Sequence, residues 1–167
     1  MYKRIVVPLD GSEIAETAII HAEQMATLTN APIHLIRVLD YASYGMNSAY
    51  GVMADAAVIS AVIEDEDESA RTYMKDVVKR ISSQGYGCTF EIHSGHVPTQ
   101  LIDMTQADDL IVMASHGRSG VARWFLGSVA EEVVRRSEVP VLLIKAPGVH
   151  AASRKHSTQV GMISAAR

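Results

Sequence analysis

The sequence predicts an α/β fold, a doubly wound parallel sheet of five strands with helices on both faces. Three observations carry this. Apolar runs rich in β-branched residues recur at positions 5–9, 33–39, 109–114 and 139–144. Runs of that length and character are strands buried on both faces, as in a parallel sheet. Stretches with apolar residues at helical spacing separate the strands. Residues 88–93 alternate and add a fifth strand nearer the sheet edge. The order β-α-β-α-β-α-β-α-β requires a parallel sheet covered by helices, and right-handed crossovers then wind it in both directions.

Taken in order, Ile5-Val6-Val7-Pro8-Leu9 is the first strand. Pro8 cannot donate to a ladder and belongs near its end. Ser12 is placed to cap the following helix, with Glu13 and Glu16 in the first turn. Ile14, Ala15, Ala18, Ile19, Ala22, Met25 and Ala26 give that helix an apolar stripe, and Asn30-Ala31-Pro32 breaks it. Ile33 to Leu39 is strand two. Residues 40–54 have no period and form a loop, longer than most connections. The helical pattern returns over 55–83 and includes the acidic run Glu64-Asp65-Glu66-Asp67-Glu68, read as a solvated face. Gly85-Tyr86-Gly87 ends it. Gly95-His96-Val97-Pro98 is a turn, and Pro98 suits the first turn of the next helix. A strand at 109–114, a loop at 115–126, a helix at 128–137 and a final strand complete residues 1–146. Residues 147–167 lose all periodicity and read as a surface tail.

Composition bounds the function. The chain has 167 residues and a net charge of −4, with acid and base dispersed. No basic face argues for nucleic acid as the main partner. One cysteine, Cys88, rules out an internal disulfide and makes a cysteine-based metal site improbable; its apolar surroundings make it a small core residue. The opening apolar run is too short for a signal peptide or a span, and no later run approaches the length of a span, so a cytoplasmic protein is expected.

The chemistry concentrates between strand four and the last helix, in Met113-Ala114-Ser115-His116-Gly117-Arg118-Ser119-Gly120-Val121-Ala122-Arg123-Trp124-Phe125-Leu126-Gly127-Ser128. Gly117 and Gly120 leave backbone amides accessible. Gly127 and Ser128 bring N–H groups at a helix N-terminus to the same place, an arrangement that suits a phosphate. Arg118 and Arg123 can add charge. The same residues have a plainer reading: the glycines only turn the chain, and Ser128 with Glu131 forms a capping box. His116 is read as a loop hydrogen-bonding residue, and Trp124 and Phe125 as packing residues. In a doubly wound fold, ligands bind beyond the carboxyl ends of the strands where the strand order reverses. That points to the loops after strands one, two and four.

The spacing resembles the ATP-binding pattern G-x2-G-x9-G-[ST] of the universal stress protein family, aligned on Ala114, Gly117, Gly127 and Ser128. The opening Ile5-Val6-Val7-Pro8-Leu9-Asp10-Gly11-Ser12, the segments Gly95-His96-Val97-Pro98 and Asp109-Leu110-Ile111-Val112-Met113, and the closing helix and strand are similar as well, over roughly residues 2 to 146. The resemblance implies a strand order 3-2-1-4-5 and an adenine nucleotide (ATP, ADP or AMP) as ligand, with or without a divalent cation such as Mg. Pro8 and Asp10 would lie beside the adenine and ribose, and Val38 would contact the adenine. Met113 and Ala114 would form the floor under the ribose and first phosphate. Gly117, Arg118, Gly127, Ser128 and Val129 would surround the phosphates. It also implies a homodimer paired through Val141, Leu142, Leu143 and Ile144. Ala114 departs from the pattern, which has glycine there, and its methyl group is expected to weaken binding without abolishing it.

No Walker-type Gly-Lys-[Ser/Thr] follows the loop, so turnover is expected to be slow or absent. The alternatives are a nucleotide-free dimeric partner-binding module and an adenylyl-transferring or pyrophosphatase enzyme of related fold. The second lacks its phosphate-binding glycines here, because the turn after strand one is Asp10-Gly11-Ser12-Glu13. A phosphorelay receiver is excluded because strand three ends at His93-Ser94-Gly95 rather than on an aspartate.

Overall fold

The computed structural model describes residues 1–41, 56–116 and 126–145. Among these the elements are β1 (Arg4–Pro8), α1 (Glu13–Thr29), β2 (Ile33–Leu39), α2 (Ala56–Ser83), β3 (Cys88–Ser94), α3 (Val97–Asp103), β4 (Asp109–Ala114), α4 (Ser128–Arg136) and β5 (Val141–Ile144). The strands form one five-stranded sheet in the order β3-β2-β1-β4-β5, and every neighbouring pair is parallel. This is the expected doubly wound topology. The order reverses between β1 and β4, so the chain winds outward to β3 on one side and to β5 on the other.

Alternation along the strands feeds two cores. Ile5, Val7, Ile33, Leu35, Leu110 and Val112 face α1 and α2, where Ala18, Ala22, Met74 and Ile81 meet them. Val6, Ile36, Ile111 and Met113 face α3 and α4, where Leu101, Ala130 and Val133 meet them. The alanines of α1 let that helix approach the sheet closely. Ser12 caps α1 as expected: its Oγ accepts from Ala15 N–H at 3.1 Å. β3 lies at the edge, where half-buried and exposed positions alternate from Cys88 to Ile92, which is the alternation visible in its sequence. Cys88 is half-buried there against the first core, and burial pushes its thiol up to about 11.

At the amino ends of the strands an ion pair between part-buried Arg4 and buried Asp109 ties β1 to β4. Arg4 donates from Nε to Asp109 Oδ1 at 3.1 Å and from Nη2 to Oδ2 at 2.7 Å, and Gln106 N–H donates to the same carboxylate at 2.8 Å. β5 begins at Val141, two residues after the apolar run that predicts it, because Pro140 supplies a carbonyl to Ile111 N–H but no donor of its own. The expected loop falls almost entirely, and the expected tail wholly, outside the described residues.

Candidate nucleotide site

The carboxyl ends of β1, β2 and β4 open into a cleft of about 320 Å³ at the point where the strand order reverses. Pro8 and Asp10 form one wall, from the end of β1. Val38 lies on β2. Met113 and Ala114 come from the end of β4, and Gly127, Ser128 and Val129 from the start of α4. Eight of the ten residues singled out from sequence therefore meet in one cavity; the other two, Gly117 and Arg118, lie outside the described residues. Val97 and Leu101 of α3 complete an apolar side, as suits a flat ring with a polar tail.

The turn after β1 is built by Asp10. Its Oδ1 accepts from Ser12 N–H at 2.9 Å and from Ser12 Oγ–H at 2.6 Å. Gly11 takes φ +83°, which only glycine adopts without strain. The turn is thereby locked with the Asp10 carboxylate at the lip of the cleft.

At the opposite lip, α4 starts from Gly127, which is its N-cap and has no side chain to close the helix end. Ser128 is the first helical residue rather than the cap, so the capping-box reading of Ser128 with Glu131 does not hold: Glu131 N–H is already satisfied by Gly127 C=O at 2.8 Å. Nor is the Gly127 N–H free, because it donates to Ser115 C=O at 2.9 Å. Gly127 is needed for another reason: a Cβ there would stand 3.1 Å from the Ser115 carbonyl oxygen and 3.5 Å from His116 Cα. The glycine lets the end of β4 and the start of α4 close on each other. The amides of the first helical turn, beginning with Ser128 and Val129, have no intrahelical acceptor and sit at the positive end of the helix dipole.

Among the lining residues not singled out from the sequence are the polar side chains of Arg37, Asp40, Glu66, Ser115 and His116. Ser115 is buried, and its Oγ lies 3.0 Å from His116 Nδ1, which fits His116 as a hydrogen-bonding loop residue. The signal for Arg37 was available, since a charged residue inside a strand buried on both faces is anomalous. Glu66 was hidden within an acidic run that reads as solvated. Among the described residues no group of three His, Cys, Asp or Glu side chains is placed to hold a metal, and no helix is long and apolar enough to cross a membrane.

A doubly wound α/β domain with a cleft at its switch point, one lip a locked aspartate turn and the other a helix start with no side-chain cap, belongs to the open α/β class whose ligands sit beyond the carboxyl ends of the strands. The model of the universal stress protein family matches residues 1–145, and the chain belongs to that family. It is 32% identical over 151 residues to the universal stress protein MJ0531 of Methanocaldococcus jannaschii, covering 88% of this chain and 84% of that one. The solved structure of MJ0577 from the same organism superimposes with a TM-score of 0.73 at 27% identity, covering 89% of this chain and 99% of that one. A universal stress protein from Archaeoglobus fulgidus, solved in complex with dAMP, shares the fold at 22% identity and a TM-score of 0.55, covering 86% of this chain and 98% of that one.

Proposed function

We propose that this protein is an adenine-nucleotide-binding regulatory protein of the stress response, which holds ATP, ADP or AMP in the switch-point cleft and works as a homodimer through β5. The observation that supports it most is the pairing of lips: an unfilled helix N-terminus at Ser128 and Val129 faces a fixed carboxylate at Asp10 across a cleft walled by Val38, Met113 and apolar α3 residues. The carboxylate suits sugar hydroxyls, the apolar walls suit a base, and the amides suit phosphates. A divalent cation such as Mg would have to come with the phosphates or with residues outside the described ones. The sequence contains no Walker-type Gly-Lys-[Ser/Thr], and among the described residues no lysine lines the cleft.

The test is an ATP titration of the full chain beside Ser128→Asp, after any nucleotide released by denaturation has been identified by chromatography. An aspartate in the first turn favours the helix by about 0.3–1 kcal/mol, so the variant stays folded while its charge occupies the phosphate position. Wild-type binding weakened at least about tenfold in the variant, at unchanged or raised Tm, is the expected result. A wild-type protein that neither carries nor titrates nucleotide would leave a dimeric partner-binding module as the reading.

A further inference from the structure

A second cavity of about 430 Å³ adjoins the cleft behind the β1 turn, lined among others by Asp10, Ser12, Arg37, Glu66, Ser69 and Tyr73. Asp10, Arg37 and Glu66 line both spaces, so they form a shared wall. The unusual member is Arg37. Its residue is 7% exposed, yet its charge is poorly satisfied. Nη1 donates to Leu9 C=O at 3.4 Å, Nη2 stands 3.5 Å from Glu66 Oε1, and Nε is buried with no hydrogen-bond partner among the described residues. A guanidinium offers five donors in a planar fork. Burying one against two long contacts is costly unless a better acceptor arrives. Phosphate is such an acceptor, because the fork matches two of its oxygens at once.

Two carboxylates share the wall, and their positions decide whether an anion can enter. Asp10 Oδ1 is committed to Ser12. Glu66 projects from α2, its side chain is 29% exposed and its contact with Arg37 is long, so it can turn to water and yield its place.

We infer that the Arg37 cavity is a second phosphate subsite, and that the protein prefers a nucleotide phosphorylated on its ribose over one phosphorylated at the 5′ position alone. This rests on the nucleotide reading of the main cleft. Asp10 stands at the junction of the two spaces, so a ribose held there has its 2′ and 3′ positions toward Arg37 while its 5′ phosphate runs to Ser128.

The experiment is calorimetric titration of the full chain with 5′-AMP, adenosine 2′,5′-bisphosphate, adenosine 3′,5′-bisphosphate and inorganic phosphate, for wild type, Arg37→Met and Glu66→Gln. One of the bisphosphates should bind wild type at least tenfold tighter than 5′-AMP. Glu66→Gln should widen that gap, and Arg37→Met should close it by weakening the bisphosphate more than 5′-AMP. Equal affinity for 5′-AMP and both bisphosphates in wild type and in Glu66→Gln overturns the inference and leaves the nucleotide reading standing. Inorganic phosphate binding that needs Arg37, without a bisphosphate preference, overturns the ribose-linked form in favour of a free-ion site. Failure of 5′-AMP and both bisphosphates to bind removes the nucleotide reading and this inference with it.

Discussion

His34 shows how one residue's surroundings set its chemistry. It is buried at 5% exposure on β2, its Nδ1 lies 2.8 Å from Thr89 Oγ1, and its Nε2 has no hydrogen-bond partner among the described residues, with Glu91 Oε1 at 3.6 Å. Burial lowers its pKa below the ordinary histidine value, and the nearby Arg4 charge adds to the effect, against opposing pulls from Glu91 and Asp109. Glu91 is held below the usual carboxylate range, first by its hydrogen bond with His93. For His34 the unfolded chain takes up a proton as pH falls through about 6.5 while the folded protein does not. Its contribution to stability is therefore complete above that pH and shrinks below it. The Glu91 contribution is present above the ordinary glutamate value and disappears at lower pH still, as pH falls through the depressed folded value. Thermal melts should show Tm falling between pH 7 and pH 5, and His34→Gln should flatten the upper part of that fall. An unchanged slope in the variant would assign the acid sensitivity to other groups.

At the scale of elements, the junction of β4 and α4 carries the most consequence. Ala114 closes β4 within the cleft and pairs in register with Ile144, where the family pattern has glycine. Ala114→Gly removes a methyl group from the cleft floor and adds backbone freedom to a strand, a cost of roughly 0.5–1 kcal/mol. The expected outcome is a modestly lower Tm together with tighter ATP binding. Weaker binding would mean that the methyl is a contact rather than an obstruction. Gly127 differs, because its φ of −60° is open to any residue and a side chain there is crowded by the Ser115 carbonyl, 3.1 Å from the missing Cβ. For this reason Ser128 is the cleaner position at which to probe the helix start.

For the whole molecule, the sheet has two edges, and they are managed differently. β3 exposes Thr89, Glu91 and Ser94 and is the polar edge. β5 is short, apolar and only partly buried at every position. Pro140 C=O and Ile144 C=O accept bonds from Ile111 of β4 and from Ser115 just beyond it, so the backbone groups of Val141 and Leu143 turn outward by the two-residue period of a strand. Those outward groups suit a second copy, and the homodimer proposed through β5 gains a specific test. Leu143→Pro removes an outward donor and spares the ladder to β4, and sedimentation should find it monomeric. A Leu143→Pro dimer of unchanged strength would place the interface elsewhere.

Most of the fold was legible in the chain because each strand and helix writes its own period. The apolar runs at Ile5–Leu9 and Asp109–Ala114, the Ser12 cap and the Pro98 helix start are local consequences of local residues, and a β-α alternation leaves few ways to wind a sheet. The gathering of Asp10, Val38, Ala114 and Ser128 at one end followed from topology and from a spacing similar to a known family. Three things needed the tertiary structure: that Gly127 spends its N–H on Ser115, that Ser128 is the first residue of the helix and not its cap, and that Arg37 of β2 meets Glu66 of α2 behind the Asp10 turn. Each depends on a distance of a few ångströms between segments far apart in the chain or on the residue at which a helix begins. Residue spacing fixes which face a side chain occupies but leaves open what stands opposite it.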